Sequence, residues 1–407
     1  MGFAEEKQLE ERYVMPTFAR KDVEFVSGKG MCLIDASGKR YLDFLSGIGV
    51  CSLGHCHPAV VRALTQQAEK LIHVSNYFYI EGRGEVAEKL SRLLDSGLPE
   101  QEREGWKTFF ANSGAEANEC AIKLARLHAR RVAEARGEDA DAAPSRIITL
   151  VKSFHGRTLA TLSATGQSKL HHGFEPMPEG FLPTPINDEA ALERLMESVG
   201  ASVCAIMVEP IQGESGVHPC SPEFLRTARR LCSETGALLI FDEVQCGIFR
   251  TGRPFAFQHA GVTPDVVTMA KGIASGMPAG ACAARGDLGD TLQAGQHGST
   301  FGGSNLACAA ALATLRELDA EGVRERIARV GAHLQERLAA LPGVQNVRGC
   351  GLMVGADVPD APGVVARALA AGLVLNATGP ETLRFLPPLI CEEDHVDQAM
   401  DILAVAL

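Results

Sequence analysis

Apolar positions recur along this chain at two different periods, and the two alternate. Val60, Val61, Leu64, Ala68 and Leu71 follow helical spacing, as do Val86, Leu90, Leu93 and Leu94. Lys107–Phe110 then reads as a short strand and Ala115 to about Arg131 as a helix. Arg146–Val151 and Val203–Val208 are runs of strand length. Ser221-Pro222-Glu223 signals a helix start, Phe224, Leu225, Ala228, Leu231 and Cys232 fill one face, and Gly236 ends it. Two further apolar runs follow, Ala237–Phe241 and Val266–Ala270. Strands alternating with helices of this length predict an α/β fold, a mostly parallel sheet covered on both faces. Near residue 315 the pattern changes. A long helix from Val323 to about Leu341 leads into two strands around a glycine turn, Val344–Val354. The expected division is an N-terminal segment (1–45) belonging to a smaller domain, a large domain (46–315) and a C-terminal small α+β domain (316–407). Glu134–Ser145, rich in Ala, Asp, Glu and Arg, reads as an exposed insertion.

Composition narrows the partners. The chain has 407 residues, 46% of them hydrophobic, enough for a large core. A formal charge of −11 without any basic block argues against nucleic acid or an anionic membrane. The start, Met1-Gly2-Phe3-Ala4-Glu5-Glu6, has no apolar signal core, and Glu6 stands where a myristoylation motif has Ser or Thr. No apolar run reaches the length of a membrane span, so a soluble, cytoplasmic chain is expected. The twelve cysteines are scattered, without a Cys-x-x-Cys pair, and read as small core residues kept reduced. His55-Cys56-His57-Pro58 lacks a second ligand cluster, and Pro58 suits a first helical turn, so no metal is expected.

Chemistry gathers where the apolar runs stop. Lys271 closes one run and Asp242 ends another. A lysine and an aspartate at two strand ends are what a pyridoxal phosphate enzyme needs. The lysine holds the aldehyde covalently, and the aspartate keeps the pyridinium nitrogen protonated. Each also has an ordinary reading, as a surface charge or a turn residue. Asn112-Ser113-Gly114-Ala115-Glu116 follows a strand and opens a helix, which suits an anion on exposed N–H groups. Ser113 with Glu116 equally fits a capping box, and the motif alone leaves both readings open. Phe154 could stack on a planar ring and Arg157 could fork a carboxylate, although core and solvent are their default places. Glu209 and Glu214 again follow an apolar strand. His297–Ser304 is a small-residue turn whose hydroxyls could donate to phosphate. No GxGxxG, Walker A or GxSxG motif is present.

Asn112–Asn118, Ser153-Phe154-His155-Gly156-Arg157, Glu209-Pro210-Ile211-Gln212-Gly213-Glu214, Asp242-Glu243-Val244-Gln245 and Ala270-Lys271-Gly272 occur in this order. Together they resemble the class III, ω-amino-acid family of pyridoxal phosphate-dependent aminotransferases, from about Tyr13 to Pro388. Within it, Tyr41–Leu45, Leu53–Pro58, Leu71–Asn76 and Thr158–Gln167 are most similar to the acetylornithine branch, and Ile48 stands where the ornithine branch has tyrosine. The resemblance implies a fold type I homodimer with shared active sites, in which a large domain with a mostly parallel seven-stranded sheet is joined to the smaller α+β domain. It implies pyridoxal 5′-phosphate held by Lys271, with Lys271 also the acid/base. Asp242 would meet the ring nitrogen, Gln245 the ring hydroxyl and Phe154 the ring face. Ser113, Gly114 and Ala115 would cradle the phosphate, joined by Ser299 and Thr300 of the neighbouring subunit. Arg157 and Arg384 would receive substrate carboxylates, with Glu214 neutralising Arg384 when an ω-amine is bound. The expected reaction exchanges the amino group of N-acetylornithine with 2-oxoglutarate. Other ω-amine donors (succinylornithine, succinyl-diaminopimelate, ornithine, 4-aminobutyrate) and an aminomutase on the same scaffold are the alternatives. Cys51, Cys246, Ile248-Phe249 and Ser304-Asn305 depart from the family pattern, and Cys51 and Phe249 are expected near the site.

Overall fold

The computed structural model describes residues 2–407; Met1, the first residue of the segment read above for a signal core, lies outside the described residues. A seven-stranded sheet forms the centre. Its order across the sheet is Trp106–Ala111, Gly280–Arg285, Val266–Met269, Leu238–Asp242, Val203–Val208, Arg146–Leu150, Phe181–Thr184. Gly280–Arg285 runs antiparallel to both neighbours, and the other pairings are parallel. Strands such as Val203–Val208 are buried at every position, which is why they read as unbroken apolar runs rather than alternating ones.

Helices cover both faces. Gly114–Ala135 buries Ala117, Cys120, Ala121, Leu124 and Ala125, a stripe of small residues that lets it lie close to the sheet. Pro222–Thr235 is capped by Ser221, whose side chain accepts from the Phe224 N–H, and ends at Gly236 with φ 77°. Burying a side chain such as Phe224 stabilises the fold by about 1.5–3 kcal/mol.

Two four-stranded sheets flank the centre, and Ile211–Gln212 pairs with His218–Pro219 in a two-stranded one. Gln345–Cys350, Met353–Asp357, Thr382–Phe385 and Asn376–Ala377 form an antiparallel sheet. Phe25–Lys29, Cys32–Asp35 and Arg40–Asp43 form another, which Leu373–Val374 joins in parallel, so the N-terminal segment is stitched to the C-terminal region.

Several elements differ from their sequence-based outlines. The helix expected to end near Arg131 continues to Ala135 and absorbs the start of the polar stretch; the remainder is a largely exposed turn. The helix Asn305–Leu318 runs unbroken across residue 315. In Pro58–Lys70 only Val60 is buried, while Val61 stays 44% exposed and Leu71 falls beyond the helix end. That apolar face continues into Ile72, Tyr77, Phe78 and Tyr79, all exposed, and none of the described residues covers it. All twelve cysteines are unpaired and eight are buried. Among the described residues no helix is long and apolar enough to cross a membrane.

Candidate active site

The carboxyl ends of the central strands open into one cavity of about 430 Å³. Asn112, Ser113, Gly114 and Ala115 reach it from the end of Trp106–Ala111, and Phe154, His155 and Arg157 from beyond Arg146–Leu150. Glu209 and Glu214 follow Val203–Val208, Asp242 and Gln245 follow Leu238–Asp242, and Lys271 follows Val266–Met269. Val50 and Met277–Ala279 complete the wall.

Asp242 sits at the centre of a buried network. Its Oδ2 accepts from Asn118 Nδ2 at 2.8 Å and from His155 Nδ1 at 2.8 Å, and its Oδ1 accepts from the Val244 N–H at 3.0 Å. Thr268 Oγ1 donates to Asn118 Oδ1 at 2.6 Å, which orients the amide so that its nitrogen faces Asp242. Burial alone would depress the His155 imidazole, but its bond to Asp242 and that carboxylate's charge outweigh burial and raise it. Asp242 therefore remains held at two oxygens while keeping acceptor capacity toward the cavity.

Glu209 is fully enclosed. Burial pushes its carboxyl up to about 8 despite the nearby His155, and its Oε2 accepts from the Phe154 N–H at 2.9 Å, which fixes the start of the Phe154–Arg157 loop. The Lys271 amine is driven below the 10.5 of a free lysine by burial, opposed by the charges of Glu214 and Asp242. Lys271 itself has φ 36°, a left-handed conformation uncommon for lysine, held in the turn Lys271–Ala274 after the strand.

A second cluster closes one side. Arg384, wholly buried on Thr382–Phe385, donates from Nη1 to Glu214 Oε1 at 2.8 Å, Gln245 Oε1 at 3.0 Å and the Gly213 carbonyl at 3.2 Å. Gln245 Nε2 in turn donates to Glu214 Oε1 at 2.9 Å. Burial would raise the Glu214 carboxyl, but the charges of Arg384 and Lys271 hold it below its usual range. Glycine at 213 leaves room for the Gln245 amide, since a Cβ would stand 2.0 Å from its Oε1 and displace the tip of that side chain from the cluster.

Of the residues singled out from sequence, Lys271, Asp242, Ser113, Gly114, Ala115, Phe154, Gln245, Arg157 and Glu214 line the one cavity. Arg384 stands behind Glu214 and Gln245. Ser299 and Thr300 do not line this chain's cavity, although Ser299 Oγ accepts from Asn112 Nδ2 at 3.0 Å. Arg157 is exposed at the mouth, its guanidinium 5.4 Å from the Phe154 ring centre. Cys51, expected near the site, stands just behind its wall, next to the lining residue Val50 and with its Sγ beside Gly276, whereas Phe249 is outside the lining and wholly buried against core side chains. Asn118, His155 and Thr268 carried no role in the sequence reading. The available signal was position alone: Asn118 lies one turn into the helix that Ser113 caps, and His155 follows Phe154.

The donor set fits pyridoxal phosphate. Ser113 Oγ accepts from the Glu116 N–H at 3.2 Å, so one half of the expected capping box forms, while Glu116 Oε2 accepts from the Asn112 N–H at 2.7 Å rather than from that of Ser113. The Gly114 and Ala115 N–H groups, however, donate to no acceptor among the described residues and remain available to an anion. A Cβ on Gly114 would stand 2.6 Å from the Val244 side chain, so the turn has room only for glycine. Anion-binding N–H groups, an aromatic ring, a buried carboxylate and a buried amine thus share one cavity.

These features define a transferase site of the pyridoxal phosphate type on an α/β sheet. Residues 17–407 match the family described as Aminotransferase class-III, and the chain belongs to that pyridoxal phosphate-dependent family. It is 45% identical over 400 residues to an acetylornithine aminotransferase of Caldanaerobacter subterraneus subsp. tengcongensis, covering 97% of each chain. It is 43% identical over 400 residues to an acetylornithine aminotransferase of Methanocaldococcus jannaschii, covering 97% of this chain and 96% of that one. Among solved structures, the ornithine aminotransferase of Toxoplasma gondii superposes with a TM-score of 0.89 at 33% identity, covering 100% of this chain and 95% of that chain.

Proposed function

We propose that this aminotransferase exchanges the amino group of N-acetylornithine with 2-oxoglutarate, giving N-acetylglutamate 5-semialdehyde and glutamate, a step of arginine biosynthesis. The observation that carries this reading is the Glu214–Arg384 pair beside the lysine cavity, because it equips one site for two differently charged substrates. An ω-amine donor presents its amino end to Lys271 and its distant α-carboxylate to Arg157 at the mouth. Glutamate presents its α-carbon, so its α-carboxylate needs Arg384, and Glu214 must move aside.

Bound pyridoxal phosphate supplies the electron sink that lets the bond at the substrate carbon break. Lys271 Nζ would hold the cofactor and, when free, its amine, already driven below the usual lysine range by burial, would serve as the acid/base for the proton of the substrate carbon. Asp242, which His155 and Asn118 prevent from turning, would keep the ring nitrogen protonated. Gln245 Nε2 has a second hydrogen beyond the one given to Glu214, and offers it to the ring hydroxyl. Phe154 would cover the ring face, and Ser113, Gly114 and Ala115 would receive the phosphate. Ser299 and Thr300 serve the site of a second subunit in a homodimer, a reading supported by the uncovered apolar face from Val61 through Tyr79.

The test is a half-reaction on purified holoenzyme. N-acetylornithine, N-succinylornithine, ornithine and 4-aminobutyrate are added singly while the visible absorbance of the cofactor is followed. Fastest bleaching by N-acetylornithine, reversed by 2-oxoglutarate, is expected; faster bleaching by another donor would move the substrate assignment. Ornithine is the second reading, favoured by the likeness to the Toxoplasma gondii structure.

A further inference from the structure

Arg384 has no acidic partner except Glu214, whose side chain is 28% exposed while that of Arg384 is 0% exposed. When Glu214 leaves, a buried guanidinium would be free to turn unless something else holds it. Asn376 lies directly across from Arg384 in the small antiparallel sheet, as its register partner. Paired residues of this kind present their side chains on the same face. Asn376 Oδ1 accepts from Arg384 Nε at 3.2 Å. On the opposite edge of the fork, the Gly213 carbonyl and Gln245 Oε1 accept from Nη1. Arg384 Nη2 is buried without any partner.

We infer that Asn376 is a positioning residue that fixes the Arg384 guanidinium for an incoming α-carboxylate without neutralising it. Nε is tied to a neutral amide, Nη1 is shared among acceptors that include the departing Glu214, and Nη2 is left for the ligand. Neutrality is the essential property. A carboxylate at 376 would keep the hydrogen bond but give Arg384 a counterion that could not move away, and the fork would no longer favour glutamate or 2-oxoglutarate.

This inference rests on Arg384 receiving the α-carboxylate of glutamate, and the experiment separates the two. Both half-reactions, with N-acetylornithine and with glutamate, are followed by cofactor absorbance in Asn376→Ala, Asn376→Asp and Arg384→Gln holoenzymes. For Asn376→Ala, the glutamate half-reaction is expected to lose about ten-fold in kcat/KM, the effect of one hydrogen bond to a charged group. The N-acetylornithine half-reaction should stay within about two-fold. Asn376→Asp should impair glutamate further while again sparing the donor. Equal losses in both half-reactions would reduce Asn376 to a packing role and overturn the inference, as would an Asn376→Asp enzyme as fast with glutamate as wild type. If Arg384→Gln slows glutamate but Asn376→Ala does not, the inference alone fails. If Arg384→Gln leaves glutamate unaffected, the reading of the site fails with it.

Discussion

The two sides of the cavity are built on opposite principles. On the sheet side Asp242, His155, Asn118 and Thr268 are all less than 4% exposed and are joined by bonds of 2.6–2.8 Å. Apart from His155 Nε2, the side-chain polar atoms of these residues all have partners among themselves or on the backbone, which fixes one arrangement of the carboxylate while leaving it acceptor capacity toward the cavity. On the gate side Glu214 is partly open, Arg384 Nη2 has no partner, and a single Nη1 serves three acceptors. A buried donor left unpaired costs about 1–3 kcal/mol, and an arriving carboxylate recovers it. The closed network suits a group that does the same work in both half-reactions. The under-satisfied one suits a group whose partner must change between them.

That contrast can be broken at each side. The largest effect is expected from Asp242→Asn. It removes the charge around which the closed network is organised, and both half-reactions should fall together by about 10²–10³-fold, the usual loss on removing one preorganised electrostatic group. Stopped-flow bleaching with each substrate checks it, and a loss confined to one substrate would contradict the division of labour. Next in size, Glu214→Ala should shift the ratio of glutamate to N-acetylornithine rates by about ten-fold or more, with the donor side losing, because Arg384 stays charged in every state. An unchanged ratio would sink the idea of a movable pair.

The smallest effect concerns pH. The Glu209 carboxyl stands at about 8 in the fold against an ordinary 4.5. Below pH 4.5 it is protonated whether folded or not, so it adds no pH dependence there. As pH rises toward 8 the unfolded chain releases this proton before the folded one does, and stability is lost across that window. Glu209→Gln keeps a neutral acceptor for the Phe154 N–H and removes the slope. Thermal melts should show the variant gaining on wild type by about 3 °C between pH 5 and pH 8. A gap independent of pH would assign the difference to packing rather than ionisation.

How much was legible beforehand follows the same line between the two sides. Lys271, Asp242, Ser113 and Phe154 announce themselves because each ends an apolar run or follows one within a few residues, and a strand end in a covered sheet has one edge on which to place chemistry. His155 and Asn118 lay inside the same motifs, yet no local pattern distinguishes a histidine aimed at Asp242 from one in a loop. The exposed Val61 and Leu71 misled for a related reason: helical spacing shows that a face is apolar, not that this chain covers it.

Hydrophobic periodicity and turn chemistry, local properties of neighbouring residues, thus determined the α/β alternation and the row of strand-end candidates. The family resemblance had already implied that Glu214 pairs with Arg384, 170 positions away; only the tertiary structure decided that Gln245 bridges them and that Asn376 grips the far edge of the same guanidinium. Those contacts depend on how a small antiparallel sheet docks against the carboxyl edge of a large parallel one. That docking is set by the packing of whole layers, and no stretch of neighbouring residues encodes it.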